Sequence, residues 1–271
     1  MSSFEQEYYE AEYFWAGEGL LDENNRERYQ KTIELIPPDV NTLVDVGCGN
    51  GIFVNTLAEK KPGLNILGID RSEAALKFVK TNKQPGDINA LPLESGSYDC
   101  VCCLEVIEHL PANVYENALD ELCRVSKKYV VISTPFDEIL EENYTQCPAC
   151  KTQFNADMHL RSFSKTAVQS LLQKRGFECV SYQTLGERIT YKGHYRFRKI
   201  FYPSQFKQWL SPICPVCGFQ SDKTKDEEVK IVNENKPAKS RSLVSYLTAL
   251  PKLIWPKQKK HYWVLSLYQK Q

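Results

Sequence analysis

Three glycines follow an apolar run in the stretch VDVGCGNGIF, at positions 47, 49 and 51. A glycine-rich loop between a strand and a helix lets backbone N–H groups approach a ligand closely. Asp70 ends the next apolar run, where a carboxylate can accept hydrogen bonds from both hydroxyls of a ribose. The loop lacks the G-x-G-x-x-G spacing of a dinucleotide site. These residues therefore predict a site for an adenine cofactor without specifying which one.

A carboxylate, Asp45, lies inside this motif, two positions before the first glycine. A pyrophosphate needs amide donors and the positive end of a helix, whereas an acidic residue in the loop strand suits a ligand with net positive charge. Asp45 therefore favours a sulfonium cofactor over a nicotinamide dinucleotide. A dehydrogenase is the alternative enzyme class.

A second group of reactive side chains lies in CLEVIEHLP, where Glu105, Glu108 and His109 follow an apolar run. Two carboxylates and an imidazole can bind a hard divalent cation, or one of these groups can act as a general base. Glutamates in the first turn of a helix also simply favour the helix dipole. We expect these three residues to be catalytic, with His109 as the general base if no metal binds.

Four cysteines form two further motifs, CPAC at 147–150 and CPVC at 214–217. Each pair can supply two thiolates from one tight turn, and two pairs complete a tetrahedral zinc site. Four thiolates leave no open position on the metal, so the motifs predict a structural Zn²⁺ that holds a lid, with the ligands Cys147, Cys150, Cys214 and Cys217. His159 can serve either this zinc site or the active site, and we favour the active site.

The elements that must position these residues alternate along the chain from residue 42. Apolar runs typical of buried strands are followed by segments with helical spacing, which predicts an α/β fold with a parallel sheet covered on both faces. The predicted strands are 42–47, 65–70, 98–106, 129–135, 178–186 and 261–269, and the predicted helices are 22–36, 51–61, 72–82, 112–126 and 164–177.

The alternation stops after residue 186 and returns only in the last strand. The sequence therefore predicts an N-terminal helical cap at 1–40, a core at 41–186, a zinc-bearing lid insert at 187–257 and a last core strand at 258–271. Basic and aromatic residues interleave between 188 and 209, a pattern that suits an anionic, ring-bearing acceptor or an amphipathic helix. Leucines at helical spacing between 243 and 254 favour packing on the domain over contact with an anionic membrane surface.

The amino-acid composition restricts the classes of function that this protein can have. Lys+Arg and Asp+Glu are equal at 34 each, so the chain lacks the overall positive field that often accompanies nucleic-acid binding. Six of the ten cysteines lie in or beside apolar runs, as small hydrophobic residues do in a reducing compartment. The N-terminal sequence has no signal-peptide pattern, and no apolar run approaches the ~18 residues of a membrane span. We expect a soluble, cytoplasmic protein.

The motifs VDVGCGNG and GID, with GDINALPLESGSYDCVCCLEVIEHL and VVISTPF, resemble the class I S-adenosylmethionine-dependent methyltransferases, in particular the ubiquinone-pathway O-methyltransferases. The resemblance covers about residues 29–186 and the last strand. It implies a Rossmann-like, seven-stranded, mostly parallel sheet with helices on both faces and an insert before the last strand.

The same resemblance implies roles for the cofactor-binding residues. The glycine loop would face the methionine and ribose parts of the cofactor, Asp70 would bind the ribose, and Asp87 and Ile88 would contact the adenine. The set of implied cofactor-binding residues is Asp45, Gly47, Cys48, Gly49, Gly51, Asp70, Arg71, Asp87, Ile88 and Glu105.

Some metal-dependent relatives, the small-RNA 3′-terminal 2′-O-methyltransferases and ubiquinone-pathway enzymes, carry an E-x-x-E-H element and a later histidine. The resemblance therefore implies a Mg²⁺ ion that orients two vicinal acceptor oxygens, held by Glu105, Glu108, His109 and His159. We expect O-methylation of a small-molecule, sugar or glycan acceptor. An RNA ribose methyltransferase and a non-catalytic S-adenosylmethionine-binding scaffold are the alternatives.

Overall fold

A seven-stranded sheet forms the centre of the protein in a computed structural model that describes residues 9–10, 15, 23–191, 213–220 and 256–271. The sheet strands are β1 (Thr42–Val46), β2 (Asn65–Asp70), β3 (Asn82–Pro85), β4 (Tyr98–Leu104), β5 (Ser126–Pro135), β8 (Phe177–Tyr191) and β9 (Lys257–Lys270). They lie in the order β3-β2-β1-β4-β5-β9-β8. Strands β1 to β5 pair in parallel, and β9 runs antiparallel between β5 and β8. This arrangement confirms the predicted seven-stranded, mostly parallel α/β sheet.

Helices cover the sheet, and a small hairpin stands outside it. The hairpin consists of β6 (Tyr144–Gln146) and β7 (Gln153–Asn155), and single 3-10 turns span Leu140–Asn143 and Gln173–Arg175. The α-helices are α1 (Glu23–Leu35), α2 (Ile52–Lys60), α3 (Glu73–Leu76), α4 (Ala112–Val125) and α5 (Lys165–Ser170). In the described part of the chain, no helix is both long and apolar enough to cross a membrane.

The core has one hydrophobic cluster on each face of the sheet. Alternate strand residues point to opposite faces, and Val101 and Cys103 of β4 accordingly pack with α4, whereas Cys100 and Cys102 pack with α1 and α2. All four β4 residues are fully buried. Four apolar residues in succession are typical of a strand covered on both faces. Burial on both faces therefore explains why small hydrophobic residues such as these cysteines occur here.

The third strand was missed by the sequence analysis. Residues 72–82 were expected to form one helix, but α3 ends at Leu76, and β3 begins at Asn82 and pairs with β2. Strand β3 is the edge of the sheet and carries the mostly exposed residues NKQP. An edge strand without apolar alternation has no signal in the sequence, because its hydrogen bonds to β2 are what define it.

Strands β8 and β9 extend farther than expected. Residues 187–191 pair with 257–261, so the boundaries of the insert move from 187 and 257 to 192 and 256. Gly186 was taken as the end of the strand, but it lies within β8, where its φ is +65° and a Cβ would lie 2.8 Å from the Trp263 ring. The predicted basic-aromatic stretch beyond residue 191 and the leucine-rich segment at 243–254 lie outside the described residues.

Candidate active site

A cavity of about 750 Å³ lies at the carboxyl ends of β1, β2 and β4. Parallel strands bring the residues that follow them to one edge of the sheet, where open α/β sheets bind their ligands. Nine of the ten residues expected to bind the cofactor line this cavity, namely Asp45, Gly47, Cys48, Gly49, Asp70, Arg71, Asp87, Ile88 and Glu105. His109 and His159 line it as well.

The glycine loop holds its shape through backbone hydrogen bonds to β2. The amides of Gly47 and Cys48 donate to the carbonyl of Ile69 at 2.8 and 3.0 Å. Gly51, the tenth expected residue, precedes α2 with a φ of +77°. A Cβ on Gly51 would lie 2.7 Å from Cγ2 of Val79 and 3.0 Å from its Cα, so only glycine fits. The loop is therefore a cradle whose shape depends on glycine.

Asp70 is a fixed acceptor at the end of β2. Its carboxylate accepts the Gly49 amide at 2.8 Å through Oδ2 and the Ser72 amide at 2.9 Å through Oδ1. Burial raises the pKa of Asp70, although both amide hydrogen bonds favour its ionised form. The carboxylate is thus held in one orientation at the cavity wall, and each oxygen retains a second lone pair.

Asp45 is a buried carboxylate beneath the same loop. It is 2% exposed, and its Oδ1 has no hydrogen-bond partner among the described residues. Burial, with a contribution from the negative charge of Asp70, raises the pKa of Asp45 to about 8. An unpartnered buried carboxylate is costly, and a cationic ligand in the cavity would relieve that cost.

Arg28, on α1, contributes a buried positive charge that the sequence analysis missed. Its guanidinium lies over the rings of Tyr29 and Trp263, with centroid distances of 4.8 and 5.4 Å. Nη1 donates to Ser133 Oγ at 3.3 Å, and within the described chain Nε has no partner. No motif marks this arginine among the charged residues of α1. Its burial results from contacts with β5 and β9, which are distant in sequence.

Glu105 turns away from the group in which it was expected. Its backbone has a φ of +58°, its Oε1 accepts the Ser133 hydroxyl at 2.8 Å, and Arg28 Nη1 lies 3.8 Å away. Ligand atoms of Glu108, His109 and His159 lie within 4.8 Å of one another, but Glu105 is not in that group. Three of the four expected Mg²⁺ ligands therefore converge, and Arg28 and Ser133 hold the carboxylate of Glu105 outside their group.

His109 lines the cavity, and Glu108 lies behind it, with 3.9 Å between His109 Nε2 and Glu108 Oε1. Glu108 is fully buried, and neither carboxylate oxygen has a hydrogen-bond partner among the residues described. Burial, with the nearby charge of Glu105, raises the pKa of Glu108 well above its usual range. Burial, with a smaller effect of His159, lowers the pKa of His109 to about 3. His109 therefore stays neutral and is a weak base near neutral pH.

His159 is paired with a carboxylate, Glu138, that the sequence analysis did not identify. The distance from His159 Nδ1 to Glu138 Oε2 is 2.7 Å, and the His159 ring meets His109 edge-on with centroids 4.9 Å apart. Glu138, Asp157 and His159 form a second group whose ligand atoms lie within 4.8 Å. Glu138 precedes His159 by 21 positions, so no local spacing marks the pair.

The four cysteines of the two CPxC motifs converge on one point. Their sulfur atoms lie within 4.8 Å of one another, with 3.6 Å between Cys147 and Cys217 and 3.6 Å between Cys150 and Cys214. His159 belongs to the cavity groups and not to this one. The structure thus brings together all four residues of the predicted zinc site.

The two CPxC motifs, here called knuckles, adopt the same type of backbone turn. In the first, at the tip of the β6–β7 hairpin, the Lys151 amide donates to the Cys147 carbonyl at 3.0 Å. In the second, the Gly218 amide donates to the Cys214 carbonyl at the same distance. Lys151 and Gly218 both have left-handed backbones, with φ of +63° and +70°. The repeated turn points four thiolates at a common centre, as a tetrahedral metal requires.

A small apolar cluster connects the knuckles to the cavity. Ile213 precedes Cys214, is fully buried and packs with Met158, against which Tyr9 also lies. Met158 and Tyr9 line the cavity, and Met158 precedes His159 in the chain. The cysteine cluster therefore supports the wall of the cavity that carries His159.

The strand order, the antiparallel β9, the glycine loop after β1 and the acid at the end of β2 together define the class I methyltransferase fold. Residues 21–182 match the methyltransferase domain family, and the chain belongs to this family. The match confirms the methyltransferase family that the motifs predicted.

Among the relatives, the ubiquinone biosynthesis O-methyltransferase of Acinetobacter baumannii (strain ACICU) is 35% identical over 80 residues, which cover 26% of this chain and 33% of the relative. The chain thus matches about a third of the length of this relative.

Two solved structures share the fold. The magnesium protoporphyrin IX methyltransferase of Synechocystis PCC 6803, solved with bound SAH, has a TM-score of 0.52 and 15% identity, covering 68% of this chain and 93% of that one. The YcgJ protein of Bacillus subtilis has a TM-score of 0.51 and 11% identity, covering 91% and 98%. At such identities the likeness concerns the fold alone.

Proposed function

We propose that this protein transfers the methyl group of S-adenosylmethionine to a hydroxyl oxygen of a small-molecule, sugar or glycan acceptor. The observation that carries the proposal is that one cavity joins the glycine loop to His109 and His159. A nucleophile bound beside the imidazoles would lie next to the cofactor in the same enclosure, and positioning supplies most of the rate in such a transfer. The name of the Acinetobacter relative, an O-methyltransferase, agrees with an oxygen acceptor.

The residues of the cavity fit the cofactor in shape and charge. When bound, the cofactor supplies an electrophilic methyl group on a positively charged sulfur. In our proposal the glycine loop leaves room for the methionine part, Asp45 and its unpartnered Oδ1 face the cationic groups, and Arg28 faces the carboxylate. Asp70 accepts the ribose hydroxyls through its free lone pairs, and Asp87 and Ile88 hold the adenine.

Calorimetry with S-adenosylhomocysteine tests the donor side. We expect one site per chain, and Asp70→Ala should weaken binding about 100-fold because two ribose hydrogen bonds and the orientation of Gly49 are lost together. Asp120→Ala is the matched control, since this aspartate lies on α4, is exposed, pairs with Arg175 and does not line the cavity. A wild-type protein that binds no S-adenosylhomocysteine would contradict the proposed function.

A screen with methyl-labelled cofactor tests the acceptor side. Catechols, monosaccharides, nucleotide sugars and oligoribonucleotides should be offered side by side, and we expect label on a hydroxyl of one of the first three. Label on the ribose of an oligonucleotide, with affinity that falls steeply as salt increases, would support an RNA methyltransferase instead.

We also propose that the four cysteines hold a structural Zn²⁺. The convergence of two identical turns supports this, because each turn supplies two thiolates and together they complete the coordination of the metal. The ion would fasten residues 213–220 to the β6–β7 hairpin and so support the wall that carries His159. Such a site requires reduced thiols, which agrees with a cytoplasmic protein.

A further inference from the structure

We propose that Tyr9 and Trp15 bind the ribose part of the cofactor as a pair of aromatic rings that covers it. Both side chains are half-buried and line the cavity. The proposal rests on the proposed function, since the cofactor is its ligand, and it adds two binding residues that no motif of the sequence indicated. It is carried by contacts that join each of the two residues to one of the amide donors that hold Asp70.

Trp15 lies against the glycine loop. A Cβ on Gly49 would lie 2.9 Å from Cζ3 and 3.4 Å from Cη2 of the Trp15 ring, so the ring occupies the space beside this glycine. The side-chain amide of Asn50 donates to the Trp15 carbonyl at 3.0 Å and fixes the backbone that carries the ring. The absence of a side chain at position 49 therefore makes room for an aromatic ring of the protein itself.

Tyr9 lies against the segment that follows β2. Its carbonyl oxygen accepts two hydrogen bonds of 2.7 Å, one from the hydroxyl of the fully buried Ser72 and one from Nε1 of Trp15. The Arg71 guanidinium lies over the Tyr9 ring, 5.3 Å from its centroid. The ring centroids of Tyr9 and Trp15 are 6.1 Å apart. The two residues therefore form one unit, which we call the aromatic cover.

Asp70 connects the aromatic cover to the ribose. Gly49 and Ser72 donate their amide hydrogen bonds to the two oxygens of the Asp70 carboxylate, and each of these donors also contacts one member of the cover. A ribose that binds Asp70 would therefore lie next to the aromatic rings. Aromatic side chains stack on nucleosides, and hydrogen bonds that are shielded from water are stronger than exposed ones. The cover would supply both effects at the same point.

The aromatic cover is anchored on a second side as well. Tyr9 packs against Met158 and Ile213, the apolar cluster beside the cysteine motifs. Tyr9 is thereby held between this cluster and Ser72, and Trp15 is held by Asn50 and Tyr9. Side chains that are fixed before a ligand binds lose little conformational freedom on binding, so their contacts contribute more fully to affinity.

Calorimetry of the full-length protein with S-adenosylhomocysteine tests the aromatic cover. Trp15→Ala and Tyr9→Ala should each weaken binding by about 10-fold or more, because stacking area and the shielding of Asp70 are lost. Trp15→Phe retains an aromatic face and should keep most of the affinity. Tyr129→Ala is the matched control, since Tyr129 is a half-buried residue of β5 that does not line the cavity. Wild-type affinity in Trp15→Ala would overturn the proposal.

Quenching of tryptophan fluorescence by acrylamide separates direct contact with the ligand from a purely structural role. The chain has four tryptophans, and the emission of Trp15 is the component that wild type has and Trp15→Phe lacks. Saturation with S-adenosylhomocysteine should reduce the quenching of this component, because the bound ligand blocks the face of the ring that lines the cavity. Unchanged quenching of Trp15 in the saturated protein would show that the ring does not cover the ligand.

The double variant tests whether the two residues act together. Because Trp15 Nε1 donates to the Tyr9 carbonyl, the double alanine variant should lose less affinity than the product of the two single losses. A loss equal to that product would show two independent residues and no common cover.

The failures of the two proposals differ. If the wild-type protein binds S-adenosylhomocysteine and Trp15→Ala binds it equally well, the aromatic cover is wrong even though the cofactor site stands. If the wild-type protein binds no S-adenosylhomocysteine, the proposed function itself is wrong, and the aromatic cover falls with it.

Discussion

The cavity has two halves that are built in different ways. The donor half is formed by the ends of β1, β2 and β4, and hydrogen bonds between neighbouring strands hold it, such as the 2.8 Å contact from the Gly47 amide to the Ile69 carbonyl. The half that we propose holds the acceptor is formed by Asp157 and His159 in the segment after β5. Glu138 pairs with His159 without lining the cavity, and the cysteine cluster supports this half. Sheet register defines the first half, and side-chain contacts across long sequence separations define the second.

The two halves also differ in whether their buried carboxylates have partners within the protein. In the donor half, the Asp45 carboxylate is buried with an unpartnered oxygen, and this is the state expected of a site that awaits a cation. In the acceptor half, Glu138 is already paired with His159 at 2.7 Å. The comparison indicates that the charge of Asp45 in the donor half is paired only when the ligand binds. The charge of Glu138 in the acceptor half is already paired within the protein. Each of the following predictions concerns a variant that should affect one half more than the other.

The largest effect is expected from Cys214→Ser. Loss of one thiolate should reduce the zinc content from one ion per chain to none, because structural zinc sites contribute about 10–16 kcal/mol of binding and their partial ligand sets bind far more weakly. Methyl transfer should fall by about 100-fold or more, because the wall that carries His159 loses its support.

The measurement for Cys214→Ser is elemental analysis of metal beside calorimetry with S-adenosylhomocysteine. Cys179→Ser is the control, since that cysteine lies on β8 outside the cluster. Binding of S-adenosylhomocysteine should persist, which shows that the donor half is folded. A wild-type protein that is active and carries no zinc would contradict the prediction.

The second-largest effect is expected from Gly51→Ala, which changes the donor half. The left-handed backbone costs an alanine about 1–2 kcal/mol, and the Cβ would lie 2.7 Å from Val79, so both stability and cofactor binding should decrease. Gly176→Ala is a matched control, because Gly176 has nearly the same φ, +78°, with open space around its Cβ position. Urea unfolding should show a smaller cost for Gly176→Ala, and calorimetry should show unchanged cofactor binding. Equal losses of affinity in both variants would rule out a specific role for the loop.

Asp45→Asn should change how cofactor binding depends on pH. A cationic ligand favours the ionised carboxylate, so below the pKa of about 8 binding must release a proton, and affinity should fall by up to about tenfold per pH unit as the pH falls. Above this pKa the asparagine variant should bind the cofactor more weakly than the wild type, and its affinity should depend little on pH. Calorimetry with S-adenosylmethionine between pH 6 and 8 measures the difference. The same pH dependence in both proteins would show that Asp45 does not face the cation.

Gly218→Ala should have the smallest effect. The φ of +70° at Gly218 costs an alanine about 1 kcal/mol, and Lys151 already tolerates the same conformation in the first knuckle. We expect a modest loss of thermal stability with zinc content unchanged, measured by calorimetric unfolding and elemental analysis. Lys151→Gly is the reciprocal control and should not destabilise. Loss of zinc in Gly218→Ala would indicate that the two knuckles are not equivalent.

Much of the donor half was predictable from the sequence, and most of the acceptor half was not. The glycine loop, Asp45 and Asp70 lie in two short motifs, and adjacent parallel strands necessarily bring them together. Arg28 and Glu138 were missed because neither lies in a motif, and each acquires its role from a partner far away in the chain. Glu105 was placed in the wrong group, since the sequence does not show that Ser133 and Arg28 hold its carboxylate.

The sequence by itself determined the alternation of the other sheet strands with their helices, the glycine cradle and the pairing of thiolates within each knuckle, whereas the edge strand β3 left no signal in it. These features depend on residue type and on spacings of a few positions, which the backbone translates directly into geometry. The sequence also predicted that the two knuckles meet and that His159 lies at the active site, but only the tertiary structure showed that Glu138 is the partner of His159 and that Ser133 and Arg28 hold Glu105. Those outcomes depend on long-range packing, because burial and neighbouring charge arise only when distant segments of the chain come together.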